Sequence, residues 1–302
     1  MIVQQLNQRF ALPGVLLFER GQGNPPRIHV ESETCEAVLY LHGAHLVHWQ
    51  PRGHHPVIFT SHRSRYAEGH PIRGGVPIVF PWFAQHPSDA AAPMHGLVRQ
   101  RPWRVERTEA RDGVVLVTLA IDLNAQESTA WPFDAALRLI VELGEHLNLT
   151  LHVQNRSANA ITFESALHTY LAIGDVQQTT VHGLEKTRYI DKVDQFKEKW
   201  AGREPATITG ETDRVYLDTT APCHVDDPTL RRRITVSKSG SCSTVLWNPW
   251  IEKAARMADF GPDEWKHMLC LETANIGPNA VTLPAGATHA MGCHISVAHM
   301  KA

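Results

Sequence analysis

The stretch GVVLVTLAIDLNAQESTAWPFDAALRLIVELGEHLNLTLHVQ, from Gly113 to Gln154, decides the fold class. Three runs in it, Gly113–Asp122, Phe133–Leu143 and His146–Gln154, carry alternating or β-branched apolar residues, which is typical of strands. The junction between the last two runs is short enough for a hairpin turn, so we expect them to be antiparallel neighbours. No helical pattern of about 12 residues separates the runs. A doubly wound α/β fold is therefore excluded, and an all-β sandwich or barrel remains.

Segments outside this stretch repeat the same pattern. Residues Trp103–Arg107 predict one more strand, and Arg27–Trp49 predicts two strands joined by a tight turn. Arg231–Lys238 and Ser243–Trp247 predict another hairpin. Ile251–Phe260 has the composition of a short helix that Gly and Pro then end. We expect an all-β chain with a few short helices.

Composition and charge limit the functions that the chain can have. It has 302 residues, 43% hydrophobic and 20% charged, with 29 Lys and Arg against 31 Asp and Glu, which describes a globular chain with ample core material. This near-neutral balance lacks the field on which binding to nucleic acid or anionic membranes relies, so a charged ligand must be recognised locally. We expect no nucleic-acid, membrane or obligate protein partner.

The cysteines and the N-terminus bear on the compartment. The five cysteines are odd in number, widely spaced and without a C-x-x-C pair, which indicates reduced thiols. The N-terminus lacks a signal-peptide pattern, and no segment approaches 18 uninterrupted apolar residues. These features predict a cytoplasmic enzyme.

The segment Ile72–Trp103 is a candidate anion site. It is rich in Gly and Pro and contains Arg73, His95 and Arg99. Guanidinium groups are always charged and offer several donors in a fixed fork, so two of them suit a carboxylate or a phosphate. The alternative is that both arginines are solvated on a surface loop.

Two strand-borne residues are candidates for proton chemistry. In AITFESALHTYLAI, Ala160–Ile173, a strand period places His168 on the more polar face. In MLCLETA, Met268–Ala274, Glu272 lies mid-strand, on the face opposite the leucines. His168 either lines a groove or is a satisfied structural histidine. A mid-strand carboxylate is either paired and structural or a functional group in a cleft.

Further polar residues leave alternatives open. Asp213 either holds sugar hydroxyls or pairs locally with Arg214. His42, His45 and His48 resemble a metal cluster, but a strand period puts His45 on the face opposite the other two, which argues against a shared metal.

Six motifs together resemble the aldose 1-epimerase (galactose mutarotase-like) superfamily, and more narrowly the hexose-6-phosphate mutarotases, also called glucose-6-phosphate 1-epimerases. They span nearly the whole chain in the family's order: RGGVPIVFPWF at Arg73–Phe83, HGLVR at His95–Arg99, ALHTYL at Ala166–Leu171, ETDRVY at Glu211–Tyr216, NPWIEKAARMADF at Asn248–Phe260 and CLETAN at Cys270–Asn275. The resemblance implies a large antiparallel β-supersandwich. We expect one domain, residues 1–302, with residues 1–25 as an N-terminal extension packing on it.

The resemblance also implies a reaction and its residues. It implies interconversion of the α and β anomers of a hexose 6-phosphate, with D-glucose 6-phosphate expected, and with neither metal nor cofactor. His168 would be the general acid and Glu272 the general base. The substrate ligands would be Arg73 and Arg99 on the phosphate, Asp213 on the sugar hydroxyls and His95 lining the pocket.

Two nearby residues and four other functions remain open. Met94 cannot donate from its side chain, and Arg101 either contacts the anion or pairs with Glu106. The other functions are a neutral-sugar aldose 1-epimerase, a glycoside hydrolase or lyase, a noncatalytic sugar-phosphate sensor and a metal-dependent cupin-like enzyme. Hydrolysis usually needs two carboxylates rather than a His/Glu pair, and the metal enzyme stays open because 19 histidines are many.

Overall fold

In a computed structural model of the protein, residues 2–300 are described and form almost entirely antiparallel β-structure. Met1, Lys301 and Ala302, which belong to the predicted 1–302 domain, lie outside the described residues. The helices of the described part are short: α1 (Ile2–Phe10), α2 (Trp250–Arg256) and two single 3-10 turns, Glu264–His267 and Gly277–Asn279. The all-β prediction is confirmed. None of these helices is long and apolar enough to cross a membrane.

Twenty-three strands make up the sheets of residues 2–300. The first nine are β1 (Leu16–Arg20), β2 (Pro26–Glu31), β3 (Cys35–Tyr40), β4 (His45–Pro51), β5 (Ile78–Val79), β6 (Arg104–Arg111), β7 (Val114–Leu123), β8 (Ala135–Leu143) and β9 (Leu147–Asn155). The others are β10 (Ile161–Phe163), β11 (Ser165–Leu167), β12 (Tyr170–Ala172), β13 (Thr180–His182), β14 (Arg188–Asp191), β15 (Lys197–Trp200), β16 (Ala206–Thr207), β17 (Thr212–Tyr216), β18 (Cys223–Asp227), β19 (Arg232–Ser239), β20 (Ser243–Asn248), β21 (Met268–Asn275), β22 (Val281–Leu283) and β23 (Thr288–His299).

The stretch Gly113–Gln154 supplies three neighbouring strands, β7, β8 and β9, of a nine-stranded sheet. Its order is β16-β13-β18-β19-β23-β9-β8-β7-β6, and β8 and β9 form the predicted hairpin with Leu143 opposite Leu147. In β9 buried and half-buried residues alternate along the whole strand, because one face packs on the core and the other does not. The period-2 reading of this stretch is therefore confirmed.

An eight-stranded sheet carries the candidate site. Its order is β15-β14-β17-β20-β21-β11-β5, with β12 also paired to β21. A contiguous buried apolar cluster joins it to the nine-stranded sheet and to the four-stranded sheet β1-β2-β3-β4, with contributions such as Leu271, Leu149 and Leu39. Because side chains alternate along β21, Leu271 faces this core and Glu272 faces away from it. All eight residues of β21 are buried, so the second face is covered as well.

Three local predictions were wrong. Arg231–Lys238 and Ser243–Trp247 do not pair as a hairpin, since β19 joins the nine-stranded sheet and β20 the eight-stranded one. The reason is burial, because every residue of β20 is buried, as in a central strand covered on both faces, whereas β19 is partly open. Ala160–Ile173 forms three short strands instead of one, and Arg27–Trp49 contributes to three strands instead of two.

The N-terminal segment combines a helix and a strand. In α1, Asn7 exchanges two hydrogen bonds with the backbone of Phe18, which lies in β1. Phe10 packs against the core, and its carbonyl accepts a hydrogen bond from Thr108 in β6. The segment thus adds the first strand to the four-stranded sheet, and the helix lies against the edge of the nine-stranded one.

Candidate active site

A break between two short strands places His168 across from Glu272. Leu167 of β11 pairs with Thr273, and Tyr170 of β12 pairs with Cys270, so the register continues through the break and puts His168 opposite Glu272. Their side chains meet, with His168 Nε2 3.4 Å from Glu272 Oε1. The structure therefore brings together the two residues predicted for proton chemistry.

Cross-strand pairing puts Asp213 on the same face. The residue row runs from Asp213 in β17 through Trp247 and Cys270 to Tyr170, and directly opposite residues of antiparallel strands point to the same side. Asp213 does not pair with Arg214 but forms a salt bridge with Lys192, Nζ to Oδ2, at 3.0 Å.

Burial pushes both members of the pair toward their neutral forms. His168 and Glu272 are 7% and 2% exposed. Burial, together with the charges of Arg99 and Arg73, lowers the pKa of His168 well below its ordinary value. Burial, together with the charge of Asp213, raises the pKa of Glu272 well above its ordinary value. Burial therefore favours the uncharged form of each group in the unliganded protein.

Both members keep unused hydrogen-bonding capacity. His168 Nδ1 and Glu272 Oε2 are buried and make no hydrogen bond within residues 2–300. Buried polar atoms are normally paired, so a ligand in this place could supply the partner of each. The aromatic rings of Tyr170 and Phe83 lie parallel to the imidazole at 4.9 and 6.5 Å between centroids, which fixes its plane.

Arg73 reaches the site with its charge largely balanced. Its Nε and Nη2 lie 3.2–3.3 Å from the carboxylate of Asp259, and its Nη1 donates to the hydroxyl of Tyr170 at 3.2 Å. Burial opposes ionisation, but Tyr170 and Asp259 outweigh it and raise the pKa of Arg73. Arg73 is therefore held in place before any ligand binds.

Arg99 is buried without a counter-ion. It is 8% exposed, makes no salt bridge within the described residues, and its Nε has no partner there. Its Nη2 donates to the carbonyl of Met94 at 2.7 Å. Burial and the nearby charge of Arg73 lower the pKa of Arg99 to about 10. An uncompensated buried guanidinium is costly, and an anion in contact with it would offset that cost.

The turn around His95 aims the imidazole into the site. His95 has a left-handed backbone, φ 64°, and the next residue, Gly96, has φ 83° and no room for a Cβ, which would lie 1.9 Å from the carbonyl oxygen of Phe80. The His95 Nδ1 accepts from the N–H of Ala84 at 3.2 Å, and its ring lies edge-on to that of His168 at 5.5 Å. His95 is thus placed against the catalytic candidate.

Met94 and Arg101, the two residues whose ligand contact was left open, each contact another residue of the protein. Met94 is 51% exposed, and its backbone carbonyl accepts a hydrogen bond from Arg99. Arg101 does not pair with Glu106 but with Glu127, Nη1 to Oε2 at 2.7 Å. Glu106 lies on β6, where nearer arginines take both of its oxygens.

One group of side chains in the described part of the chain could hold a metal ion. Ligand atoms of His168, Cys270 and Glu272 lie within 4.8 Å of one another, so the catalytic candidates form that group. Two of the histidines that resemble a metal cluster in the sequence make other contacts. His42 Nε2 and His45 Nε2 bond separate backbone carbonyls, those of His70 and Gly74.

Sequence reasoning missed Lys192, Tyr170 and Asp259. Lys192 lies in the polar stretch of residues 191–210, and Asp259 lies in the turn after α2, which no sequence pattern connects with Arg73. The contact of the Tyr170 hydroxyl with Arg73 was not predicted either. The signal for all three is a contact between segments more than 20 residues apart, and a single sequence does not carry it.

Fold and site together define a sugar-epimerase class, and comparisons with known proteins agree. The family model for aldose 1-epimerase matches residues 26–296, and the chain belongs to that family. The resemblance inferred from the six motifs is thereby confirmed.

Individual relatives of this chain can be named more specifically than the family. A protein of Escherichia coli with the printed name "Putative glucose-6-phosphate 1-epimerase" is 33% identical over 271 residues, which cover 88% of this chain and 90% of the relative. One from Cenchrus ciliaris with the same printed name is 30% identical over 265 residues, covering 84% and 79%. A crystal structure described as a "putative mutarotase" from Salmonella typhimurium superposes with a TM-score of 0.89 at 28% identity, covering 99% of this chain and all of that one.

Proposed function

We propose that this protein interconverts the α and β anomers of a hexose 6-phosphate, with D-glucose 6-phosphate as the expected substrate. The observation that carries the proposal is the buried His168–Glu272 pair beside Arg99, a buried arginine without a carboxylate partner among the described residues. The pair suits general acid–base chemistry, and the unpaired guanidinium suits a phosphate. The names of the relatives support the same substrate.

Ring opening needs one proton given and one taken. Protonated His168 gives its proton to the ring oxygen while the carboxylate of Glu272 takes the proton of the C1 hydroxyl, and the C1–ring-oxygen bond breaks to leave the free aldehyde. After rotation about C1–C2 the two groups reverse their roles and close the ring on the other face. Asp213 accepts from sugar hydroxyls, and His95 lines the pocket.

The pKa shifts match one stage of this cycle. After ring opening His168 is neutral and Glu272 is protonated, which is the state that burial favours for both groups. The opposite state, an imidazolium beside a carboxylate, is needed to begin. A dianionic phosphate between Arg73 and Arg99 would balance the charges that lower the pKa of His168, and so would favour the starting state.

The phosphate also supplies affinity. Each charge-assisted hydrogen bond contributes about 1.5–3 kcal/mol. Arg99 has unused donors, whereas Arg73 already holds Asp259 and Tyr170. We therefore assign the larger share of phosphate recognition to Arg99.

Anomer exchange measured on two sugars tests the proposal. Exchange NMR of the anomeric protons should show catalysis with glucose 6-phosphate and much slower catalysis with glucose. Equal rates on both would favour a neutral-sugar aldose 1-epimerase. Binding of glucose 6-phosphate with exchange at the buffer rate would favour a sensor, and release of reducing sugar from oligosaccharides would favour a hydrolase.

Chelation tests whether the reaction is metal-free. The candidate metal ligands His168, Cys270 and Glu272 are also the proposed proton-transfer groups or lie beside them. Burial keeps Cys270 in its thiol form by raising its pKa well above the ordinary value, and a metal-binding thiol must ionise. We expect full exchange activity after exhaustive chelation, and a loss that added metal restores would contradict the metal-free mechanism.

The five cysteines support a cytoplasmic location for this enzyme. All five are free thiols, and such thiols are usual in a reducing compartment.

A further inference from the structure

Lys192 is a charged contact of the site that the proposed reaction does not yet use. It begins the turn between β14 and β15, directly opposite Asp213, whose carbonyl accepts a hydrogen bond from its backbone N–H at 2.9 Å. Its ammonium lies 3.0 Å from Asp213 Oδ2 and 5.3 Å from the centre of the Phe83 ring. The cross-strand register and the ring fix the ammonium on the sugar-facing side of the sheet.

The groups around Glu272 indicate how the ammonium of Lys192 acts in the site. His168 faces it from the β11–β12 break, Asp213 from β17, and Cys270 from its own strand. Two carboxylates on one buried face repel each other, and Lys192 is the cation that contacts one of them. Beyond these, positive charge comes from two groups on the phosphate side, Arg73 and Arg99.

We propose that Lys192 is a positioning residue of the catalytic pair, which compensates the charge of Asp213 and thereby keeps Glu272 available as the carboxylate that takes the C1 hydroxyl proton. This role rests on the proposed epimerisation. It differs from a purely structural role, in which Lys192 would only anchor the turn to β17.

The direction of the effect follows from the charges. Burial is the largest cause of the raised pKa of Glu272; the charge of Asp213 raises this pKa further, and the charge of Lys192 lowers it. Lys192 also lowers the pKa of His168. Without Lys192 both groups hold their protons more tightly, so both limbs of the bell-shaped pH profile should move to higher pH. A neighbouring opposite charge lowers the pKa of a carboxyl by about one unit or more, so removing that charge should lower kcat/KM about tenfold on the acidic side.

The pH profile of kcat/KM for glucose 6-phosphate exchange tests the role. Lys192→Met and Lys192→Gln should shift both limbs upward by about one unit, and Lys192→Arg should restore the wild-type limbs. The matched control is Lys197→Met, which removes an exposed lysine from the same hairpin, and its profile should equal that of the wild type. Lower activity of the Met and Gln variants with unmoved limbs would show a structural role and overturn the proposal.

An NMR titration separates this proposal from the proposed function. The carboxyl carbon of Glu272 in the unliganded protein reports its protonation without turnover. A higher midpoint in Lys192→Met, restored in Lys192→Arg, supports the charge role. An unchanged midpoint in Lys192→Met overturns the charge role even if the wild type is a fully active epimerase. If the midpoint shifts in Lys192→Met but the wild type shows no exchange, only the proposed function is contradicted.

Discussion

At the scale of single residues, the proposed chemistry depends on how His168 and Glu272 are held, with 3.4 Å between His168 Nε2 and Glu272 Oε1. Glu272 lies on β21, His168 lies at the break between β11 and β12, and the imidazole lies nearly parallel to the rings of Tyr170 and Phe83. Side chains fixed in this way need little reorganisation when the sugar arrives, which is the condition for efficient proton transfer.

Replacing either residue should remove most of the catalysis. His168→Ala and Glu272→Gln should each lower exchange of glucose 6-phosphate by about 10²–10⁴-fold, the usual contribution of a general acid or base. Exchange NMR measures the loss, and thermal unfolding shows whether the fold is kept. Glu142→Gln on the nine-stranded sheet is the control and should retain full activity. Near-normal exchange in either site variant would rule out the assigned role.

Arg99 should discriminate between phosphorylated and neutral sugar. Arg99→Ala removes the guanidinium that has no counter-ion, so kcat/KM for glucose 6-phosphate should fall about ten- to hundredfold, as expected for loss of a charged hydrogen bond. Exchange of glucose, measured in parallel, should not show this loss. Arg101→Ala, which loses only a surface pair with Glu127, should leave both rates alone. An equal loss on both sugars would contradict phosphate binding by Arg99.

At the scale of strands and loops, the site depends on where the regular pattern stops. The period-2 reading placed His168 and Glu272 on polar faces, and that part needed only the sequence. It could not show that Ala160–Ile173 breaks into three strands. The break follows from long-range contacts, since Glu164 accepts hydrogen bonds from the backbone of Phe83 at 2.8 Å and of Gly277 at 2.7 Å.

His45 fixes the backbone from which Arg73 projects, and it should make stability depend on pH. Its Nε2 bonds the carbonyl of Gly74 at 2.7 Å, and burial lowers its pKa to about 3. The folded protein therefore binds this proton far less readily than the unfolded chain, whose histidine pKa is about 6.5. This contribution to stability is fully present above about pH 6.5 and is lost as the pH falls toward 3.

Urea unfolding measured at several pH values checks that expectation. Between about pH 6 and pH 5 the free energy of unfolding should fall by about 1.4 kcal/mol per pH unit because of His45 alone, the value for one proton. His45→Gln should remove this part of the slope. The exposed His55→Gln is the matched control and should keep the wild-type slope. An identical slope in His45→Gln would show that His45 is not the group responsible.

At the scale of the whole molecule, the sequence predicted the class of fold better than its connections. Alternation along β8 and β9 predicted an antiparallel sheet because one face of these strands is buried and the other is more open. It did not predict that the chain leaves this sheet between β19 and β20, because two adjacent strands look like a hairpin whether or not they share a sheet. Sheet assignment depends on tertiary burial, which adjacent segments do not encode.

Arg232 ties the two large sheets together. From β19 its Nη2 reaches the carbonyl of Ala172 in β12 at 2.5 Å, and its Nε lies 3.4 Å from the buried carboxylate of Asp227. Its Nη1 also donates to the carbonyl oxygens of His55 and Pro56, both at 3.0 Å. The guanidinium is thus bonded on all sides at the boundary between the sheets, where it is 1% exposed.

Removing the guanidinium of Arg232 should lower the free energy of unfolding of the whole protein. Arg232→Met leaves Asp227 buried without its cation and three carbonyls without donors, which should cost about 3–5 kcal/mol of unfolding free energy in urea. Arg233→Met removes an exposed arginine from the next position and should cost less than about 1 kcal/mol. Combining Arg232→Met with Asp227→Asn should recover part of the loss, since the stranded charge is then gone. Equal costs for the two arginines would mean that the buried pair does not hold the sheets together, and that apolar packing between them suffices.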